Sequence, residues 1–148
     1  MIKRIIYTVL LVLWMIIIFM FSNQNANNSQ STSDKVISTI IEIVETVTNN
    51  EISEDKRINV IEDTSFIVRK LAHFTIYFIL GVLVYLTLTS YHVNKTILFS
   101  ILFCFIYACS DEIHQMFSDG RTAKLIDILI DTSGATIGCF IIKFFKRI

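Results

Sequence analysis

The sequence predicts an all-α integral membrane protein, a four-helix bundle with an extracytoplasmic helical insert between its first and second membrane-spanning helices. Hydrophobic residues make up 53% of the 148 residues and charged residues only 18%. The mean hydropathy is +0.62, and four apolar segments approach the roughly 20 residues that a bilayer-spanning helix needs. Helices are expected because backbone polar groups in lipid must bond internally.

The same composition excludes several classes of protein. A soluble domain usually carries about a quarter charged residues, so a soluble enzyme, a disordered chain and a nucleic-acid binder are all disfavoured. Thirteen basic and thirteen acidic residues give a formal net charge of zero, so no excess of positive or negative charge favours a partner of opposite charge. The length predicts a single domain over 1–148. The three cysteines lie in apolar runs and are interpreted as buried small side chains.

The first predicted span covers residues 5–21, an apolar run interrupted only by Thr8. Lys3 and Arg4 precede it, as in a signal peptide, but no small-x-small cleavage site follows. We therefore expect an uncleaved membrane anchor.

A polar insert occupies residues 22–65. It opens with an Asn/Gln/Ser-rich stretch typical of coil, in which Ser33 and Asp34 are candidate helix N-caps. Apolar residues at helical spacing over 36–47 then predict an amphipathic helix, and a second short helix is predicted over 54–61. Both helices are expected to lie on the membrane surface or to cover the bundle.

The remaining spans are predicted over residues 66–89, 96–117 and 125–145. Taking the amino terminus as cytoplasmic puts all thirteen acidic residues on the other side of the membrane. The cytoplasmic ends then carry a dense set of cations without any acid, as the positive-inside rule requires. These cations are Lys3, Arg4, Lys95, Lys143, Lys146 and Arg147. Both termini are therefore expected in the cytoplasm.

Ionisable residues from three spans meet at the extracytoplasmic end in this topology. Arg69, His73 and Tyr77 are spaced i, i+4, i+8 along one line of the second span. In the third span Asp111, His114 and Gln115 are spaced i, i+3, i+4, and in the fourth Asp127 and Asp131 are four apart. An unpaired ionisable residue in a membrane costs at least a few kcal/mol, so we expect these residues to face the bundle interior in one polar pocket.

Two interpretations of this set stay open. In the functional one, cations hold a phosphate or carboxylate while histidine and carboxylates transfer protons. Its catalytic candidates are His73, His114, Asp111, Asp127 and Asp131, and its ligand-binding candidates are Arg69, Lys70, Tyr77, Glu112, Gln115 and Arg121. In the structural one, Arg69 pairs with Asp127 or Asp131, and His73 pairs with Asp111 or Glu112.

Metal and cofactor motifs are not recognisable in the sequence. Metal ligation by His73, His114 and a carboxylate is an alternative, but His-Glu-x-x-His is absent and no other spacing is diagnostic, so no metal and no cofactor are expected. Gly134 and Gly138 form a GxxxG motif, which permits close helix contact within the bundle or between copies in an oligomer.

The order and spacing of these motifs resemble the VanZ-like family of small membrane proteins. The matching residues are Phe21-Ser22-x-Gln24, Arg69-Lys70-x-Ala72-His73-Phe74-x-x-Tyr77, Gly81, Asp111-Glu112-x-His114-Gln115-x-Phe117, Gly120-Arg121 and Asp127-x-x-x-Asp131-x-x-Gly134-Ala135-x-x-Gly138. The sequence departs from the family pattern at Asp119, where Pro is common, and at Ile76, where an acidic residue is common.

The resemblance implies a multi-pass protein of the bacterial cytoplasmic membrane. The family takes its name from a protein linked to resistance to teicoplanin, a lipoglycopeptide that acts on cell-wall precursors at the outer face. We therefore expect binding of a lipid or lipid-linked head group, with an effect on antibiotic susceptibility. A membrane-embedded enzyme acting on a phosphate-containing head group is the alternative, and an ion conduit is a third reading.

Overall fold

The computed structural model describes residues 1–23, 26–117 and 124–146. Within these ranges the chain is helical and contains no strand. The five helices are α1 (Ile2–Ser22), α2 (Ala26–Thr48), α3 (Glu54–Ser90), α4 (Thr96–Gln115) and α5 (Leu125–Phe145). All except α2 are long and apolar enough to cross a membrane. The prediction of four helices that are long and apolar enough to span a membrane is confirmed.

Helix α3 is longer than the span predicted from the sequence. It runs unbroken for 37 residues, about 55 Å at 1.5 Å per residue, whereas the hydrocarbon core of a bilayer is about 30 Å thick. The prediction of a separate short helix over 54–61 is therefore wrong. No Gly or Pro lies between Glu54 and Leu80, so nothing in the backbone ends the helix before the apolar segment begins.

Helix α2 begins earlier than predicted and includes most of the polar stretch. It begins at Ala26, so the interpretation of Ser33 and Asp34 as N-caps is wrong. The Ser33 hydroxyl donates to the Ser29 carbonyl at 3.2 Å, and Asp34 accepts from the Ser65 hydroxyl at 2.5 Å. These polar side chains are satisfied along the helix and against α3 instead of at a helix end.

Helices α2 and α3 form a hairpin. Of the predicted apolar stripe, Ile37 and Ile41 are buried, and α3 is the helix that α2 packs against. The rest of the stripe stays exposed and consists of Val36, Ile40, Ile43, Val44 and Val47. This hairpin is the helical insert, and its exposed apolar face is suited to contact with lipid.

The closed end of the hairpin is fastened by Glu45. Its carboxylate accepts from the Ile52 amide at 2.8 Å and from the Arg57 guanidinium at 2.6 Å. Both donors stabilise the ionised form, so they hold the pKa of the Glu45 carboxyl below its usual value.

Helices α3 and α5 make the most extensive contact in the bundle, and glycines set its closeness. A Cβ atom added at Gly134 or Gly138 would lie under 3.0 Å from the carbonyl oxygen of Phe74 or Phe78, respectively. On the α3 side, a Cβ at Gly81 would meet the Ala135 backbone in the same way. The GxxxG motif therefore serves packing within the chain, while its use between copies stays a prediction.

Side-chain hydrogen bonds to backbone carbonyls attach α1 to the other helices. The Trp14 indole donates to the Ile76 carbonyl of α3 at 3.0 Å, and the Tyr107 hydroxyl of α4 donates to the Met15 carbonyl at 2.8 Å. Arg4 donates to the Ser90 carbonyl at 2.8 Å. We call the end of the bundle near Arg4 and Ser90 the terminal end, and the opposite end, next to the hairpin, the insert end.

We predict that Gly134→Ala lowers the melting temperature of the purified protein in detergent. In an isolated helix this change would stabilise by about 1 kcal/mol, but here the added methyl meets the Phe74 backbone and must push α3 from α5, which typically costs about 1–3 kcal/mol. Thermal unfolding of the variant and the wild type shows whether the melting temperature falls or rises.

The neighbouring Ser133 is exposed on the same helix and provides the control, since Ser133→Ala should change stability by no more than about 0.5 kcal/mol. A Gly134→Ala protein that melts at or above the wild-type temperature would show that the α3–α5 contact is looser than described.

Candidate functional site

Three ionisable residues from three helices meet inside the insert end of the bundle. His73 of α3, Asp111 of α4 and Asp131 of α5 each offer one ligand atom, and these atoms all lie within 4.8 Å of one another. His73 Nδ1 and Asp131 Oδ1 are 3.5 Å apart. We call these three residues the His–Asp cluster.

The carboxylates of the cluster are deeply buried. Asp131 is 0% exposed, and neither of its carboxylate oxygens has a hydrogen-bond partner among the described residues. Asp111 is 6% exposed and accepts a long hydrogen bond of 3.3 Å from Gln115. Tyr77 is 0% exposed, and its hydroxyl also lacks a described hydrogen-bond partner. Burying a charged group without compensation is costly, so this cluster is not explained by packing alone.

A cavity of about 210 Å³ lies beside the cluster, between α1, α2, α3 and α4. Three of its walls are helices of the spanning bundle, and the fourth is the hairpin helix α2. It is lined by Ile18, Phe21, Ser22, Ser29, Thr32, Ser33, Arg69, Ala72, His73, Ile76, Tyr77 and Asp111. Arg69, His73 and Tyr77, which the sequence placed on one line of a helix, therefore border one space.

The serine and threonine side chains of this cavity were not foreseen. Ser29, Thr32 and Ser33 lie in the Asn/Gln/Ser-rich stretch, whose composition is typical of coil. Their spacing of i, i+3, i+4 is helical and is the signal that could have placed them on one face of α2.

Arg69 and its neighbour Lys70 have different surroundings. Arg69 lines the cavity and has no ion-pair partner in the ranges 1–23, 26–117 and 124–146, so the alternative that it pairs with Asp127 or Asp131 is not what the structure shows. Instead Lys70 pairs with Asp127. Successive residues of a helix point about 100° apart, which turns Lys70 toward α5 and leaves Arg69 facing the cavity.

The remaining candidates are distributed around the cluster. Glu112 is 1% exposed and accepts from the Lys124 amide at 2.8 Å, next to the start of α5. His114 packs its ring on Phe19 of α1, with the centroids 4.4 Å apart, and so does not join the His–Asp cluster.

The structural alternative paired His73 with Asp111 or Glu112, whereas the ion pair of His73 is with Asp131. Arg121, together with Gln24 and Gly120 of the motifs, lies outside the described residues.

The arrangement combines three chemical features in one place. Arg69 offers a cation with a planar array of donors, and His73 and Asp111 offer groups that accept or donate protons or ligate a metal. Apolar side chains, among them Ile18, Phe21 and Ile76, also line the cavity. Such a cavity suits a ligand with a charged head and an apolar body.

We predict that Lys70 and Asp127 are energetically coupled. Lys70→Met leaves the Asp127 carboxylate, whose side chain is only 14% exposed, without its partner, and this should destabilise the protein by at most about 3–5 kcal/mol. The double variant Lys70→Met/Asp127→Leu should recover most of that loss. A double-mutant cycle of thermal unfolding in detergent measures the coupling.

Lys56→Met, at an exposed position of the same helix, is the matched control and should leave stability almost unchanged. Strictly additive effects of the two single changes would contradict the pairing.

Comparison with known proteins supports the motif analysis. A family model described as VanZ/LLP1 matches residues 7–146, which is nearly the whole chain. Searches of curated proteins and of solved structures found no match. The matched range contains every residue of the His–Asp cluster and of the cavity, and the chain therefore belongs to the VanZ/LLP1 family.

Proposed function

We propose that this VanZ/LLP1 protein is a multi-pass protein of a bacterial cytoplasmic membrane with both termini in the cytoplasm. The terminal end carries Lys3, Arg4, Lys95, Lys143 and Lys146 and no acidic residue. Cations concentrated near helix ends favour the cytoplasmic side. In this orientation the hairpin is extracytoplasmic, and the cavity lies near the outer boundary of the bilayer.

We expect single cysteines at Ser31 and Asn94, introduced after replacement of the three native cysteines, to differ in accessibility. Both positions are exposed, but Ser31 is in the hairpin and Asn94 in the loop at the terminal end. An impermeant maleimide should label Ser31→Cys in intact cells and Asn94→Cys only after permeabilisation. The reverse pattern would place the hairpin in the cytoplasm.

We further propose that the cavity binds the phosphate-bearing head group of a lipid or lipid-linked cell-wall precursor. The observation that carries this proposal is Arg69, a partly buried cation that lines an amphipathic cavity and has no counterion among the described residues. A guanidinium matches phosphate with two parallel hydrogen bonds. The Ser29 hydroxyl on the facing helix adds a neutral donor, whereas the Thr32 hydroxyl donates to the Asn28 carbonyl at 2.9 Å.

The size of the cavity limits what it encloses. Its volume of about 210 Å³ is below the roughly 300–1,000 Å³ of sites that bury a whole drug-sized ligand. The cavity therefore takes a head group and leaves the acyl chains outside, against exposed apolar surface such as Phe21. Occupancy of this kind would connect the protein to teicoplanin susceptibility, because that class of antibiotic acts on head groups at the same membrane face.

A second candidate function is catalysis on the same head group. It is favoured by the position of His73, which lines the cavity and pairs with Asp131 at 3.5 Å. In this version His73 is the proton-transfer residue, Asp131 orients it, and Arg69 holds the phosphate.

We expect purified protein in detergent to bind dihexanoyl phosphatidylglycerol in preference to dihexanoyl phosphatidylcholine, and Arg69→Gln to weaken that binding at least about tenfold. Loss of a hydrogen-bonded charge contact costs about 1.5–3 kcal/mol, and tenfold corresponds to about 1.4 kcal/mol. Titration followed by intrinsic fluorescence or calorimetry measures the affinity.

The matched control is Arg57→Gln, since Arg57 lies on the same helix but pairs with Glu45 in the hairpin. Equal binding by the two variants would contradict the proposed role of Arg69. Mass spectrometry of the recovered lipid separates the two functions, because time-dependent conversion that disappears in His73→Gln supports an enzyme and unchanged lipid supports a binding protein.

A further inference from the structure

We propose that the His–Asp cluster is a binding site for one divalent transition-metal ion. The inference stands on the geometry and burial of His73, Asp111 and Asp131 and does not rest on the proposed head-group binding. No local spacing in the sequence identifies these three ligands, because they come from three helices. The metal set considered from the sequence, His73 with His114 and a carboxylate, differs from this cluster in including His114.

The distances are close to those of a metal centre. Around a tetrahedral ion with bonds of about 2.0–2.1 Å, ligand atoms lie about 3.4 Å apart. His73 Nδ1 and Asp131 Oδ1 are already 3.5 Å apart. The widest separation in the cluster is no more than 4.8 Å, so a ligand atom has to move by at most about 1.4 Å to reach the tetrahedral spacing. Side-chain torsions supply a shift of this size without movement of a helix.

The Asp131 carboxylate is an independent indication of a missing cation. The side chain is fully buried, and although its Oδ1 lies 3.5 Å from His73 Nδ1, neither oxygen receives a hydrogen bond from any described residue. Among the described groups near the cluster, Tyr77 and Arg69 line the cavity from α3, and Gln115 donates to Asp111 from α4. Two further carboxylates, Glu112 and Asp127, lie close enough to act on it and add negative charge. Lys70 is engaged with Asp127, so it does not neutralise Asp131.

Charge balance favours a divalent ion. Two ionised carboxylates and a neutral imidazole carry a charge of −2, which a divalent cation cancels completely. A protonated His73 would leave the buried cluster at −1. An imidazole and two carboxylates are ligands suited to Zn²⁺, Mn²⁺ or Fe²⁺ and are unlike the all-oxygen sites of Ca²⁺.

The site would be open on the cavity side. Three protein ligands leave a four-coordinate ion with one free position, and two of these ligands, His73 and Asp111, line the cavity. Arg69 is one helical turn from His73 on the same face of α3. A bound ion would therefore present its free position to water or to a phosphate oxygen near Arg69.

The test is titration of metal-stripped, detergent-solubilised protein with Zn²⁺, followed by calorimetry, and metal analysis after dialysis. We expect one equivalent per chain for the wild type. We expect Asp131→Asn and His73→Gln to weaken binding at least about tenfold, since even the outer-shell partners of metal ligands change affinity by 10–100-fold.

Asp63→Asn and His92→Gln make the same chemical changes at exposed positions outside the cluster and serve as matched controls that should keep the site. Substitution of the wild type with Co²⁺ gives a readout that needs no variant. An absorption spectrum with ligand-field bands and no sulfur charge-transfer band is expected for this site, whereas such a band would indicate the cysteines instead.

The proposal is overturned if the wild type retains no metal, if the controls lose metal as much as the cluster variants do, or if Co²⁺ reports sulfur ligands. Wild-type protein that binds Zn²⁺ without binding phosphatidylglycerol would support the metal site while contradicting the proposed head-group function. Wild-type protein that binds phosphatidylglycerol without binding Zn²⁺ would support the head-group function and contradict the metal site.

Discussion

The direct backbone contact between α3 and α5 is the constraint on which the site depends. Gly81, Gly134 and Gly138 leave no room for a Cβ atom at this contact. Small residues at an interface let membrane helices approach until their backbones touch, and van der Waals packing then replaces the hydrophobic effect as the source of stability. Asp131 is one turn before Gly134 and His73 is next to Phe74, so the same contact brings Asp131 to His73.

This packing also explains why a charged group can be buried where it is. Asp131 continues the small-residue face of α5 toward the insert end, and the closeness of α3 excludes lipid and solvent from it. A buried ion pair lacking one partner is strongly destabilising, so the local structure has to supply compensating charge. Lys70 does this for Asp127, whereas the basic member of the described cluster with Asp111 and Asp131 is His73. Asp127 and Asp131 therefore differ in whether a positively charged side chain is available to pair with them, and not only in how deeply they are buried.

Helix existence and helix faces could be predicted from the sequence, but the partners of each face could not. Apolar run length located the four spans, and the i, i+4, i+8 spacing placed Arg69, His73 and Tyr77 together. Whether Arg69 or Lys70 contacts α5 depends on the rotation of α3 about its own axis. The glycine contacts set this rotation, and the spacing of residues in the sequence carries no information about it.

The hairpin was harder to predict for a similar reason. Its Asn/Gln/Ser-rich start has the composition of a coil, and it is helical because tertiary contacts such as Ser65 with Asp34 satisfy it. In the same way, no local pattern shows that α3 continues without a break from the hairpin into the bundle.

The continuity of α3 has a mechanical consequence. A helix without Gly or Pro from Glu54 to Leu80 has no hinge, so it behaves as a rod, which α5 holds where Gly134 meets Phe74, where Gly138 meets Phe78 and at Gly81. Arg69 and His73 lie on this rod between the hairpin and these contacts. A load on the hairpin is therefore carried along an unbroken helix to the wall of the cavity, because no hinge within α3 separates the two.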